Sequence, residues 1–401
     1  MAVPKIRIKG FDADWKKSNF GNFGSVAMCK RIFKVQTSPI GDIPFFKIGT
    51  FGLKPDAYIT RELYDEYKSK YSFPSKGDIL ISAAGTIGRT IVYSGDDAYF
   101  QDSNIVWLNH NDQLNNAFLK YLYSIVNWAS LEGATIKRLY NSNILQTEIV
   151  IPEYTEQEAI SNYFQSLDSL IDATDKKIAT LKQTKQASLQ SMFPQEGETK
   201  PRVRFKGFTD DWKNIELSEL FDFHKGRGLS KEKLNSKGQF NCILYGEIFT
   251  KYDFIVNECI SKSDIQEGLP SLCGDIIMPG STTTSGIDLA KAVYVPYNDV
   301  LYGGDIIVLR PKKSNNINSF FIATLITCIN RENIAMVSQG TTIVHLHAHN
   351  VAGLNYLLPS IGEQNQIAEY FSNLDKQISI QEQRLEKLKQ IKSACLKNMF
   401  V

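Results

Sequence analysis

The chain is written twice. PKIRIKGFDADWKK begins at Pro4 and PRVRFKGFTDDWKN at Pro201, 197 residues later. KGDILIS from Lys76 is answered by CGDIIMP from Cys273 at the same offset, and NIVWL from Asn104 by DIIVL from Asp305. GATIKRL from Gly133 and GTTIVHL from Gly340 lie 207 apart, and that offset holds without a gap to Met192-Phe193 and Met399-Phe400. Self-similarity at a fixed offset limits the fold more than any single motif. Each half is therefore one unit of about 200 residues, a variable body followed by a better-matched tail.

The tail carries a second regularity. Ile160, Phe164, Leu167, Ile171, Thr174, Ile178, Leu181, Lys185, Ser188 and Met192 alternate spacings of four and three. Ile367, Phe371, Leu374, Ile378, Gln381, Leu385, Leu388, Lys392, Cys395 and Met399 repeat the pattern. This 3.5-residue period marks a coiled-coil seam. Pro152 and Pro359 precede the two helices, and Glu156-Gln157 and Glu363-Gln364 fall in the first turns, where a carboxylate complements the helix dipole. Two separate amphipathic helices, each on its own body, are the alternative. Pairing is favoured because the polar seam positions also correspond, Thr174 with Gln381 and Lys185 with Lys392. A helix from Thr155 to Phe193 would be ~58 Å long at 1.5 Å per residue. Pro194 to Pro201, rich in turn formers, joins the halves.

The bodies mix short β runs with loops. Strands are expected at Asp78–Ser82, Thr90–Tyr93, Ile105–Leu108 and Glu148–Ile151, then at Asp275–Met278, Ala292–Val295 and Ile306–Leu309. Helices fit Ala117–Ser130 and Ser319–Ile329. The expected fold class is α+β: two tandem domains in a pseudo-two-fold arrangement, separated by two long antiparallel coiled-coil helices. The expected domains are 1–151, a helical spacer and linker at 152–200, 201–358, and a second helical region at 359–401. The six cysteines form no C-x-x-C pair, which fits a reduced intracellular protein without structural zinc. The first residues lack the apolar core of a signal peptide, and the longest apolar stretch, Phe320 to Ile329, is far shorter than a membrane span. A cytoplasmic location without membrane contact is expected.

Five features together carry a family resemblance: K-G-F-x-x-x-W at Lys9–Trp15 and Lys206–Trp212; G-D-I with a small-residue loop at Gly77–Gly88 and Gly274–Gly286; L-Y-G-E at Leu244–Glu247; the P-x-x-x-E-Q tails at Pro152–Gln157 and Pro359–Gln364; and a long helix ending in Met-Phe. Each is weak alone, but their duplicated order resembles the type I restriction–modification specificity subunits across essentially the whole chain. The first copy departs from the pattern, with PFFKIGTFG where the second has NCILYGEIF. The resemblance implies two target-recognition domains reading the halves of a split, asymmetric site on double-stranded DNA. It implies that the helices dock two methyltransferase subunits, and that restriction (motor-nuclease) subunits join the complex. S-adenosylmethionine, ATP and Mg would belong to those partners, with no cofactor and no catalysis in this chain. Bodies that read different half-sites need different surfaces, whereas helices that dock identical partners need similar ones.

With a net charge of only +2, a DNA reader must gather its cations on one surface. Base edges are read by Arg, Lys, Asn or Gln, and phosphates by basic and hydroxyl groups. In the first body the candidates are Lys30, Arg31, Lys34, the Ser82–Arg89 loop with Thr86, and Lys137, Arg138 and Asn141. In the second they are His224, Lys225, Arg227, Tyr245, Lys251, the run Ser281, Thr282, Thr283, Thr284, Ser285, and His345 and His347, which match Arg138 and Tyr140. The expected seam and partner positions are Phe164, Leu167, Ile171, Ile178, Leu181, Met192, Phe371, Leu374, Ile378, Leu385, Leu388 and Met399.

Rival chemistries find less support. His345, His347 and His349 alternate and would share one face of a strand, a set that can bind zinc, yet no Cys or carboxylate motif accompanies them. Asp56 with Glu66 and Lys68 imitates a magnesium nuclease pattern that the second copy lacks. Gly85–Gly88 is no phosphate-binding loop, because neither nucleotide-binding glycine motif is present. A standalone nuclease or methyltransferase is thus the second reading, and a purely structural adaptor leaves the divergent bodies unexplained. If the helices set the distance between half-sites, adding one heptad to both lengthens the unspecified spacer by ~3 bp. Methylation mapping with an unchanged spacer would refute that.

Overall fold

The computed structural model describes residues 3–111, 113–129, 138–195, 197–312 and 316–401. Two compact units emerge, Met1–Lys176 with Glu382–Val401, and Lys177–Gln381. The long helices run Tyr154–Met192 and Ile361–Asn398. The four consecutive segments expected from the sequence therefore regroup. Each unit combines one body, the start of the helix that leaves it, and the closing turns of the other helix.

The two bodies share one sheet plan. In the first, a four-stranded antiparallel sheet runs Gly24–Met28, Ile105–His110, Ile79–Ser82, Thr90–Val92. In the second, the order is Phe221–Lys225, Ile306–Pro311, Asp275–Pro279, Val293–Val295. The central strands read as unbroken apolar runs because both sheet faces are covered. Ile79, Ile81, Val106 and Leu108 enter one core, while Leu80, Ile105 and Trp107 enter another on the opposite face. Ile276, Met278, Ile307 and Leu309 against Ile277, Ile306 and Val308 repeat that division.

The closing Met-Phe pairs complete these cores. In the first unit Phe400 stacks on Phe118 at 5.3 Å and stands edge-on to Trp15 at 6.4 Å. In the second Phe193 stacks on Phe321 at 5.5 Å and meets Trp212 edge-on at 6.1 Å. The expected domain boundaries ignored this because a helix end buried in a core cannot be a separate segment.

Within each unit the helix portions run antiparallel. In the first, Tyr163 lies beside Cys395 and Lys392 pairs with Asp168. In the second, Tyr370 lies beside Ser188 and Lys185 pairs with Asp375. Ile160, Phe164, Leu167, Ile367, Phe371 and Leu374 are buried along the seam. Ile178, Ile378, Met192 and Met399 are also buried, and Ile171, Leu181, Leu385 and Leu388 are half-buried. Burial acts to raise the Asp168 carboxyl, but Lys392, Lys120 and the Tyr121 hydroxyl outweigh it and hold its pKa below the ordinary value. At Asp375 burial wins over its one lysine, Lys185, and the pKa is raised.

The Glu-Gln pairs prove to be buried anchors. Arg7 grips Glu156 through two nitrogens, at 2.7 Å each, and Arg204 grips Glu363 at 2.8 and 2.6 Å. Gln157 accepts from the Asn115 backbone and donates to the Pro152 carbonyl; Gln364 does the same with Asn318 and Pro359.

The expected Ala117–Ser130 helix is shorter, Asn116–Tyr123. The Ser124 hydroxyl bonds back to the Tyr121 carbonyl, while Ile125, Val126 and Trp128 stay on the core without helical backbone. Ser130 lies outside the described residues. Ser319–Ile329 is helical as expected, closing in a π turn. No single described helix is long and apolar enough to cross a membrane.

Glu156→Gln should weaken the paired hydrogen bonds to the half-buried Arg7 guanidinium and cost about 1–3 kcal/mol, as should Glu363→Gln at Arg204. Urea unfolding followed by tryptophan fluorescence checks this. A loss below ~0.5 kcal/mol, the range of ordinary surface changes, would remove the anchors.

Candidate nucleic-acid interface

The same backbone frame gathers the candidate loops in each unit. In the first, Ala83 N–H donates to the Asn104 carbonyl and Leu139 N–H to the Ala83 carbonyl, both at 2.8 Å. In the second, Gly280 N–H donates to the Asp305 carbonyl and Leu346 N–H to the Gly280 carbonyl, again at 2.8 Å. The loop after the G-D-I strand is thereby tied to the segment carrying Arg138 and Tyr140, or His345 and His347.

In the second unit Ser281 pairs across a two-residue ribbon with His345. Lys225, Gly280, Asp305, His345 and His347 line a small pocket of about 80 Å³. The histidines do not share a strand. Strand geometry stops at His345, and His347 opens the short helix Ala348–Ala352 that contains His349. The imidazoles stack instead, with centroids 6.4 and 5.7 Å apart and planes 12° from parallel. Among the described residues no three His, Cys, Asp or Glu side chains are placed to hold a metal ion.

The hydroxyl run mostly serves its own turn. Ser281 donates to Asp305, Thr282 bonds Thr284, and Thr284 and Ser285 donate to Asp288. The Thr284 hydroxyl, then the Ser285 groups, hold the Asp288 carboxyl below its ordinary value. Thr283 remains exposed at the tip, and Lys225, Arg227, Tyr245 and Lys251 are exposed as well. His224 is half-buried. Lys291 and Arg331 border the same hollow as Thr282 and Thr284, a cavity of about 540 Å³. No sequence pattern marks them, since only the fold brings residues this distant to one hollow.

In the first unit several candidates turn inward. Ser82 is buried, its hydroxyl bonded to Thr86 and Arg89 backbone, so it builds the loop and is not on its surface. Gly88, at φ 79°, closes that loop; a Cβ there would sit 2.9 Å from Trp128 Nε1. Thr86 is exposed at the turn. The Arg89 guanidinium lies 6.0 Å above the Phe51 ring. Arg138 is held by Ser103, and Arg31 by Asp102 at 2.7 Å. Lys30 sits over Tyr71, while Lys34 and Asn141 are exposed. Lys137 lies outside the described residues. The imitation nuclease set is dispersed: Asp56 pairs with Lys47, Glu66 with Lys70, and Lys68 bonds the Tyr64 hydroxyl.

A doubled α+β body on a shared frame, closed by paired helices, defines a tandem-module protein. The family model of the type I restriction modification DNA specificity domain matches it twice, over residues 12–183 and 209–390. The chain belongs to the type I restriction–modification specificity subunit family. A Haemophilus influenzae relative named as a type I restriction enzyme specificity subunit is 53% identical over 159 residues, 39% of this chain and 41% of that protein. The chain thus aligns with less than half of that relative's length. The crystal structure of a type I S subunit from M. genitalium superposes with a TM-score of 0.60 at 17% identity, covering 100% of this chain and 99% of that one. A chain from a structure concerned with complex assembly and conformational transition of the type I R-M system gives 0.51 at 13% identity, covering 98% and 99%. These two likenesses are of fold.

The geometry separates two candidate arginines. Arg227→Ala should cost ~1–3 kcal/mol of binding to the cognate duplex if the guanidinium reads a guanine. Arg89→Ala should also lower unfolding stability, because its guanidinium lies over the Phe51 ring and beside Gly52. Unchanged duplex binding by Arg227→Ala, measured by fluorescence anisotropy, would strike Arg227 from the interface.

Proposed function

We propose that this chain is the specificity subunit of a type I restriction–modification complex. It reads the two halves of a bipartite, asymmetric site on double-stranded DNA, one with each body. The paired helices dock two methyltransferase subunits, and restriction subunits join that assembly. Catalysis lies in the partners, which carry S-adenosylmethionine, ATP and Mg; this chain needs no cofactor of its own.

The observation that carries the reading is a shared frame with unlike surfaces. Gly280 and Ala83 make the same two backbone hydrogen bonds, yet the side chains they present are His345 and His347 in one unit and Arg138 and Tyr140 in the other. The seam does the reverse and repeats its contacts, Lys185–Asp375 with Lys392–Asp168. Different bases require different surfaces, and identical partners require alike ones.

Incubated with DNA and S-adenosylmethionine, the purified chain alone should transfer no methyl groups. Combined with its methyltransferase subunit, it should direct adenine methylation to one split motif, absent from the host methylome when the gene is deleted. Turnover by the chain alone would favour a standalone enzyme.

A further inference from the structure

One segment of the first body places apolar side chains in water without any need of the fold. Phe33 is 59% exposed, Val35 93% and Ile40 84%. The segment is ordered by its own hydrogen bonds. Gln36 N–H donates to the Phe33 carbonyl at 2.9 Å and Thr37 N–H to the Lys34 carbonyl at 3.1 Å, closing a 3₁₀ turn at Lys34–Gln36. Ser38 and Tyr58 exchange both backbone bonds at 2.9 and 2.8 Å.

The second body builds the same turn 197 residues later. Lys233 N–H donates to the Ser230 carbonyl and Leu234 N–H to the Lys231 carbonyl, at 3.1 and 3.3 Å, closing a 3₁₀ turn at Lys231–Lys233. At the positions of Phe33, Val35 and Ile40 it carries Ser230, Glu232 and Lys237, all exposed. The turn therefore forms with polar residues, and folding does not explain the three apolar ones. An ordered apolar tip left in water points to a surface outside the chain.

Two occupants compete. A methyltransferase subunit present in two like copies would meet like surfaces, and here the two turns differ at each of the three positions. DNA half-sites of different sequence demand such a difference. Cations interleave the apolar residues: Lys30, Arg31 and Lys34, with Asp42 the one carboxylate in the segment and Asp102 the partner of Arg31. That alternation suits a duplex, with ammonium groups on phosphates and apolar side chains against bases, through thymine methyl groups or an unstacked step.

We infer that Phe33, Val35 and Ile40 form an apolar tip that contacts the bases of the half-site read by the first body. The inference rests on the proposed DNA-reading function. It makes this turn a determinant of that half-site alone, and the corresponding turn at Ser230–Lys237 a polar reader of the other.

The test uses the full chain with its methyltransferase subunit and a duplex carrying the motif mapped in the host methylome. The triple change F33S/V35E/I40K installs the residues that the matching turn already carries. It should weaken duplex binding about tenfold or more and relax sequence preference in one half-site only. Co-purification of the methyltransferase subunit and preference in the other half-site should not change. Val35→Ala, which touches no core, should weaken binding about fourfold if one of the two lost methyl groups is buried against the bases. Unchanged affinity and motif in both variants, or lost methyltransferase co-purification, would overturn the inference, the latter showing a protein-docking tip. Absence of sequence-selective binding by the unaltered complex would instead sink the DNA-reading function itself.

Discussion

Each unit depends on an aromatic ring supplied from far away in the sequence. Phe400 fills a slot walled by Trp15, Phe118 and Phe164, and Phe193 fills the matching slot of Trp212, Phe321 and Phe371. Both rings are nearly or fully buried. Emptying such a slot typically costs about 3–5 kcal/mol, a large part of a domain's net stability. The sheet face bearing Ile79 and Ile81, or Ile276 and Met278, belongs to the same core as the ring, so sheet and helix end are completed together.

A second constraint fixes how each long helix leaves its body. The arginine of the opening segment grips the glutamate of the first helical turn, and the adjoining glutamine satisfies two backbone groups. Because this arrangement recurs around Glu363 and Gln364, both helices depart under the same local restraint. Between the repeated anchor and the repeated ring, the loops are free to diverge. The two halves use that freedom at Phe33 against Ser230 and at Arg138 against His345.

The long helices were legible because their spacing persists over nearly forty residues, where chance patterns die out. The central strands were legible because a sheet covered on both faces needs continuous apolar runs. The anchors were not: Glu156 was read as a dipole partner, and its true partner, Arg7, lies 149 residues away. Alternation at His345, His347 and His349 suggested a strand, but a helix begins after His347 and turns the pattern into a stack. Ser82 looked like a surface hydroxyl because the sequence does not reveal that Gly88 folds the loop back over it. The pairing of Arg138 with Ser103, and of the still exposed Arg31 with Asp102, is likewise a product of tertiary contact, invisible to residue type.

The ring in the first unit also has a meaning for synthesis. Trp15, Phe118 and Phe164 emerge from the ribosome more than two hundred residues before Phe400. At ~5–20 residues per second that slot waits roughly 10–40 s for its occupant. Met192-Phe193, an identical dipeptide on an equivalent helix, is made during the wait. Once its helix has formed, however, that dipeptide stands ~44 Å along the same rod from Phe164, at 1.5 Å per residue, so the helix itself keeps the slot open for Phe400.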